Sequence, residues 1–280
     1  MKIVYFCKKN NVMQQVKPKK ALGQHFLTDL SVAARIAATL DDYKGMPVLE
    51  VGPGMGVLTK PLIQAGHDVT VVEIDTESVA YLRANFPALT GGDHIIEGDF
   101  LRLDLAAIFP GQKFCVIGNY PYNISSQIFF HVLDYKDLVP CCSGMLQREV
   151  AERIAAGPGT KARGILSVLL QAWYDIDYLF TVSEHVFNPP PKVKSGVIRM
   201  VRNSVTDLGC DERLFKTVVK TTFGQRRKTI RNSVRSLLPP GAVLPDSPLL
   251  AMRPEQLSVA QFIDLTNLVS SIRPASEQTV

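Results

Sequence analysis

The sequence has no apolar run long enough to cross a bilayer, no CxxC pair, no internal repeat and no low-complexity tract. The first absence argues against a membrane-spanning helix, which needs about 20 consecutive apolar residues. The second leaves five scattered cysteines, Cys7, Cys115, Cys141, Cys142 and Cys210. Their number is odd and their spacing suits neither a zinc site nor a disulfide framework, so no metal is expected. Reduced thiols in a cytoplasmic compartment are the simpler reading. Residues 1–20 lack any acidic residue, arginine or serine, and also lack the apolar core of a secretory signal. Residues 1–18 therefore read as a basic, disordered tail, with a translation start at Met13 as an alternative.

What is present is an ordinary globular balance. The 280 residues are 46% hydrophobic and 20% charged, with a net charge of +5 and a pI near 8.9. That length accommodates one core with a smaller appended domain. The mild basicity permits a polyanionic partner without requiring one.

Residues 31–40 carry Val32, Ile36 and Leu40 on one helical face. Strands and helices then alternate. Strands are expected at 48–51, 69–72, 94–96 and 114–117, and helices at 57–65, 77–86 and 125–133. This rhythm predicts a mostly parallel sheet covered on both faces. Residues 173–182 and 197–201 read as strands without an intervening helix, which fits an antiparallel pair at the sheet edge. After about residue 203 the texture turns helical, over 214–223, 229–238 and 259–272. The expected organisation is an α/β domain over 19–203 and a small all-helical domain over 204–280.

Two loops carry chemistry. Glu50-Val51-Gly52-Pro53-Gly54-Met55-Gly56 lies between a strand and a helix. Its glycines allow a sharp turn and close approach to a ligand, although a tight turn alone would also explain them. The GxGxG spacing is one residue shorter than the dinucleotide fingerprint, and an acidic residue precedes it. Glu73 closes the next strand, where a carboxylate can take both hydroxyls of a ribose. Asp99 ends the third strand and could accept from an adenine amine; a turn or helix N-cap is its other reading. Together these features look like an S-adenosylmethionine site.

The second loop, Asn119-Tyr120-Pro121-Tyr122, follows the fourth strand and faces the same crevice. An adenine N6 is a poor nucleophile because its lone pair is delocalised into the ring. Two oxygens accepting its hydrogens would aim that lone pair. The Asn119 side-chain oxygen and the Pro121 carbonyl are the candidates. Tyr122 offers a stacking face, worth roughly 1–3 kcal/mol. Phe187 is a candidate for the other face, and an ordinary core phenylalanine is its competing reading.

With those loops in view, the chain resembles the KsgA/RsmA family of ribosomal RNA adenine N6,N6-dimethyltransferases over about residues 19–268. The resemblance rests on Leu22 to Leu27, Glu50 to Gly56, Gly98 to Phe100, Asn119 to Ser125, Met145 to Val150, Phe187 to Ser195 and Phe223 to Asn232. It implies a seven-stranded sheet of the class I S-adenosylmethionine-dependent type with a C-terminal helical domain. It also implies four methyl transfers to two adjacent adenines near the 3′ end of small-subunit rRNA, in a pre-assembled small ribosomal subunit. Cofactor contacts would fall on His25, Leu27, Gly52, Glu73, Asp99 and Asn119, with Gly54 in the same loop. The family commonly has asparagine where His25 stands.

Arg226, Arg227, Lys228 and Arg231 form the densest basic cluster and the expected RNA contact, with Arg227 and Arg231 on one helical face. Lys17, Lys19 and Lys20 form a second cluster, and Lys161 and Arg163 a third. A solvated charged face is the alternative for each. Three rival functions stay open: a large-subunit rRNA methyltransferase conferring resistance, an assembly checkpoint with incidental methylation, and a small-molecule methyltransferase. A monomer is the default.

Overall fold

The structure, a computed structural model, describes residues 16–273. In chain order the elements are β1 (Phe26–Leu27), α1 (Leu30–Ala37), β2 (Val48–Val51), α2 (Thr59–Gln64), β3 (Val69–Glu73), α3 (Thr76–Asn85) and the single turn α4 (Pro87–Thr90). Next come β4 (Ile95–Glu97), the turn α5 (Leu105–Ile108), β5 (Cys115–Asn119), α6 (Ser125–Asp134), β6 (Cys141–Gln147), α7 (Arg148–Ala155) and α8 (Ile165–Gln171). Three further strands follow, β7 (Tyr174–Val182), β8 (Phe187–Asn188) and β9 (Ser195–Arg202), of which β8 pairs with β1 apart from the main sheet. The chain then becomes helical: α9 (Glu212–Gly224), α10 (Ile230–Ser233), α11 (Pro248–Ala251) and α12 (Val259–Ile272).

Seven strands form one sheet in the order β4-β3-β2-β5-β6-β9-β7. The first five pair in parallel, and β9 joins antiparallel to both β6 and β7. This matches the expected edge arrangement. The side-chain period of two splits the strands between two cores. Leu49, Val51, Phe114 and Val116 enter one, while Val48, Val71, Cys115 and Ile117 enter the other. Both faces are apolar because helices cover both, so β2 is buried along its whole length.

The first of these cores does not stop at residue 203. Leu214, Phe215, Val218, Ile230, Phe262 and Leu265 belong to the same cluster as Leu49 and Val116. The helical part begins crisply: the Asp211 carboxylate caps α9 by accepting from the Leu214 N–H at 2.5 Å. Ser258 and Gln261 form a capping box on α12.

Three expectations need correction. Residues 229–238 are not one helix: α10 ends at Ser233 and a 3₁₀ segment follows. Residues 1–15 lie outside the described residues, but Val16, which the tail reading included, is buried at 8% exposure. Strand β6 was not anticipated at all. Its sequence, Cys-Cys-Ser-Gly-Met-Leu-Gln, is poor in strand formers. Gly144 explains one of those residues, since an added Cβ would lie 2.2 Å from the Gly118 carbonyl oxygen.

Candidate active site

A cleft of about 230 Å³ opens at the carboxyl ends of the parallel strands. His25, Leu27, Gly52 and Gly54 line it from one side, and Glu73, Asp99, Asn119, Pro121 and Tyr122 complete it. The strand order explains the convergence: β3, β2 and β5 are neighbours, and their carboxyl ends carry Glu73, the glycine loop and Asn119.

The glycine loop requires its glycines for different reasons. Gly52, Gly54 and Gly56 all have positive φ, at 66°, 55° and 75°. A Cβ on Gly56 would collide with the Phe86 ring at 2.2 Å, and one on Gly54 would press on Phe26 at 2.9 Å. A Cβ on Gly52 would meet nothing within 4 Å. Gly56 and Gly54 serve packing; Gly52 keeps space open in the cleft.

Glu73 accepts from the Gly54 N–H at 3.0 Å and from the Asp75 N–H at 2.9 Å. Each oxygen keeps lone pairs for a ligand diol, and burial pushes its pKa up. Asp99 accepts from the Leu101 N–H at 3.0 Å, so the N-cap reading of this residue holds. It also lines the cleft, and the two roles coexist.

Glu50 was noticed in the sequence only as a flag beside the glycines. It is 1% exposed and lines the cleft, and its Oε2 has no hydrogen-bond partner. Burial pushes its pKa up to about 8. A buried carboxyl with a free oxygen suits a ligand carrying an ammonium group.

In the second loop, Asn119 Nδ2 donates to the His25 carbonyl at 3.2 Å. The amide is thereby oriented, and Oδ1 has no protein partner among the described residues. The Pro121 carbonyl accepts from the Ile124 N–H at 3.2 Å and keeps a second lone pair. The Tyr122 hydroxyl shares a 2.5 Å hydrogen bond with Ser195 Oγ. Tyr120 points the other way, with its hydroxyl donating to the Ser143 carbonyl at 2.7 Å inside the core.

Phe187 does not itself line the cleft. β8 pairs with β1, setting Phe187 opposite Leu27, and the phenylalanine is 4% exposed within the apolar core. It is not among the cleft-lining residues, and its core reading accounts for this placement.

The basic clusters change most. Arg226 Nη2 donates to the Lys161 carbonyl at 2.5 Å, and its Nε lies 3.7 Å from Glu255. Arg227 sits in the turn between α9 and α10, so it shares no helical face with Arg231. Arg231 donates to the Pro245 carbonyl at 3.3 Å. Arg227 and Lys228 are exposed and make no side-chain hydrogen bond or ion pair among the described residues. Lys19 pairs with Asp75 and Glu77, at 2.5 and 3.1 Å. Arg163 is fully buried, donating to the Ala156 carbonyl and to Gln171 Oε1, each at 2.7 Å. It is an internal brace and cannot touch RNA. Among the described residues no group of His, Cys, Asp and Glu could hold a metal, and no helix is long and apolar enough to cross a membrane.

This sheet order, with its glycine loop and terminal carboxylates around one cleft, defines a class I methyltransferase. The chain matches the family model for ribosomal RNA adenine dimethylases over residues 15–271. It belongs to that family. It is 70% identical over 256 residues to the ribosomal RNA small subunit methyltransferase A of Parabacteroides distasonis, covering 91% of this chain and 94% of that one. The protein of the same name from Phocaeicola vulgatus is 65% identical, covering 92% of each chain. Among solved structures, the 23S rRNA methyltransferase ErmE is 25% identical with a TM-score of 0.62, covering 86% and 99%. A dimethyladenosine transferase from Plasmodium falciparum shares the fold, with a TM-score of 0.69 at 21% identity over 86% and 96%.

Proposed function

We propose that this enzyme uses S-adenosylmethionine to dimethylate N6 of two adjacent adenines near the 3′ end of small-subunit rRNA. The substrate is a pre-assembled small ribosomal subunit in the cytoplasm, and the enzyme works as a monomer. The observation that carries the chemistry is the tethered Asn119 amide, which presents an oxygen acceptor beside Tyr122. The high identity to small-subunit methyltransferases supports the substrate over the large-subunit alternative.

The residues present fit the cofactor. Glu50 would face its ammonium group, Glu73 its ribose, Asp99 its adenine amine, and Gly52 would leave room for its backbone. Leu27, Gly54 and the His25 main chain would complete the wall. When bound, S-adenosylmethionine supplies an activated sulfonium methyl.

The chain's own residues orient the base. Asn119 Oδ1 and the Pro121 carbonyl accept the N6 hydrogens and turn the lone pair outward. Tyr122 stacks on the ring. No side chain needs to act as a strong base, and water takes the released proton. The adenine must first leave its stack, at a cost of a few kcal/mol, which phosphate contacts from Arg227 and Lys228 help to offset.

The test is methyl-label transfer to unmethylated small subunits, large subunits and free rRNA, with wild type and Asn119→Ala. Label recovered as N6,N6-dimethyladenosine from small subunits, and absent with the variant, is the expected result. Label on large subunits would overturn the substrate assignment. No label on any RNA, with cofactor still bound, would move the protein toward an assembly role.

A further inference from the structure

His25 was expected to be a cofactor contact, yet its side chain is committed elsewhere. Its ring lies on that of Tyr122, with centroids 5.6 Å apart and planes inclined by 29°. Its Nδ1 is 2.8 Å from the Pro189 carbonyl oxygen. A carbonyl can only accept, so Nδ1 carries the proton in that contact. Its own main-chain carbonyl holds the Asn119 amide. One residue therefore touches the acceptor, the stacking ring and the Pro189 loop.

Tyr122 is pinned from two directions, by His25 on one face and by Ser195 at its hydroxyl. Spacing decides what this arrangement allows. A base inserted between the two rings would need two stacking intervals of about 3.4 Å each, nearly 7 Å in all. The observed 5.6 Å is too small. The base can use only the opposite face of Tyr122.

We propose that His25 is a positioning residue for methyl transfer: by backing one face of Tyr122, it confines the target adenine to the other. This rests on the adenine-methylating reading above. With one face closed, the adenine has a single stacked register in which N6 meets Asn119 and Pro121. Orientation of this kind is what a weak nucleophile requires. Asparagine at this position could still bond to Pro189 but would bring no ring.

The experiment compares full-length wild type with His25→Ala, His25→Phe and His25→Asn. Cofactor affinity is measured by calorimetry and methyl transfer by single turnover on saturating unmethylated small subunits. His25→Ala should slow transfer by at least about tenfold while cofactor affinity stays at the wild-type value. His25→Phe, which restores only the ring, should recover most of the rate. His25→Asn, which restores only the hydrogen bond, should recover less. Equal rates for the phenylalanine and alanine variants, or a loss explained wholly by weaker cofactor binding, would overturn the proposal. A wild-type rate for His25→Ala overturns this role alone, whereas an inactive wild type overturns the functional reading and this role with it.

Discussion

Asn119 Nδ2 donates to the main-chain carbonyl of His25 across 3.2 Å, linking residues 94 positions apart in the chain. A side-chain amide presents one oxygen and one nitrogen, and this bond decides which end faces His25. The acceptor that the proposed methyl transfer uses is thus set by backbone from the other wall of the cleft.

Asn119→Asp separates the two functions of that side chain. Aspartate keeps oxygen acceptors but places an oxygen against the His25 carbonyl, where it repels. Single-turnover methylation is expected to fall by about 10²–10³-fold, as when one preorganised polar contact is lost. The loss should match that of Asn119→Ala, with cofactor still bound. An aspartate variant with near-normal rates would show that the tether does not orient the side chain.

Glu50 predicts a pH signature. Burial holds its carboxyl near 8, against an ordinary value of 4.5. Between those values the folded chain keeps a proton that the unfolded chain has released, so stability falls as pH rises through that window and stays reduced above it. Glu50→Gln should therefore stabilise the cofactor-free protein by on the order of 2–4 kcal/mol above pH 8 and by little near pH 4.5. Cofactor affinity should drop in the same variant. Denaturant titrations at both pH values, with calorimetry at the higher, check both statements.

The two outer glycines of the loop should separate stability from binding. Gly56→Ala meets the Phe86 ring as well as a left-handed backbone, and should cost more than about 2 kcal/mol of stability. Gly52→Ala meets only the backbone penalty, about 1–2 kcal/mol, but should abolish cofactor binding by filling the cleft. Thermal unfolding alongside cofactor titration distinguishes them.

Among the cations of the C-terminal turn, Arg227 and Lys228 should carry the RNA contact. Replacing either with glutamate is expected to shallow the salt dependence of small-subunit binding by about 0.7–0.9 log units per log unit of salt. Arg226→Ala should leave that slope unchanged, because Arg226 is engaged with Lys161 and Glu255. Filter binding across a salt series is the measurement.

Much of this architecture was legible because short-range pattern and long-range position agree. Buried apolar runs gave β2, β3 and β5, and in a parallel sheet their carboxyl ends must meet. Glu73, Asp99 and Asn119 therefore came together without knowledge of any contact. The rest depended on partners distant in sequence. Arg163 is the exception, since its acceptors, the Ala156 carbonyl and Gln171, lie only seven and eight residues away but meet it across a loop that charge spacing does not describe. Nothing near Arg226 announces Glu255. Phe187 could not be assigned to core or cleft until its pairing with β1 fixed the direction of its side chain. Strand β6 escaped because its small and sulfur-bearing residues suit a strand buried on both faces but carry no alternation.

The apolar cluster that runs from the sheet into α9 and α12 has a mechanical consequence. Close-packed side chains transmit displacement instead of absorbing it. A helical part welded in this way cannot swing independently about residue 203. The span from the turn at Arg227 and Lys228 to the cleft at Asn119 is then fixed. Under the proposed function, RNA held at that turn would be measured off at the cleft, and the adenine reached would be the one lying at that length.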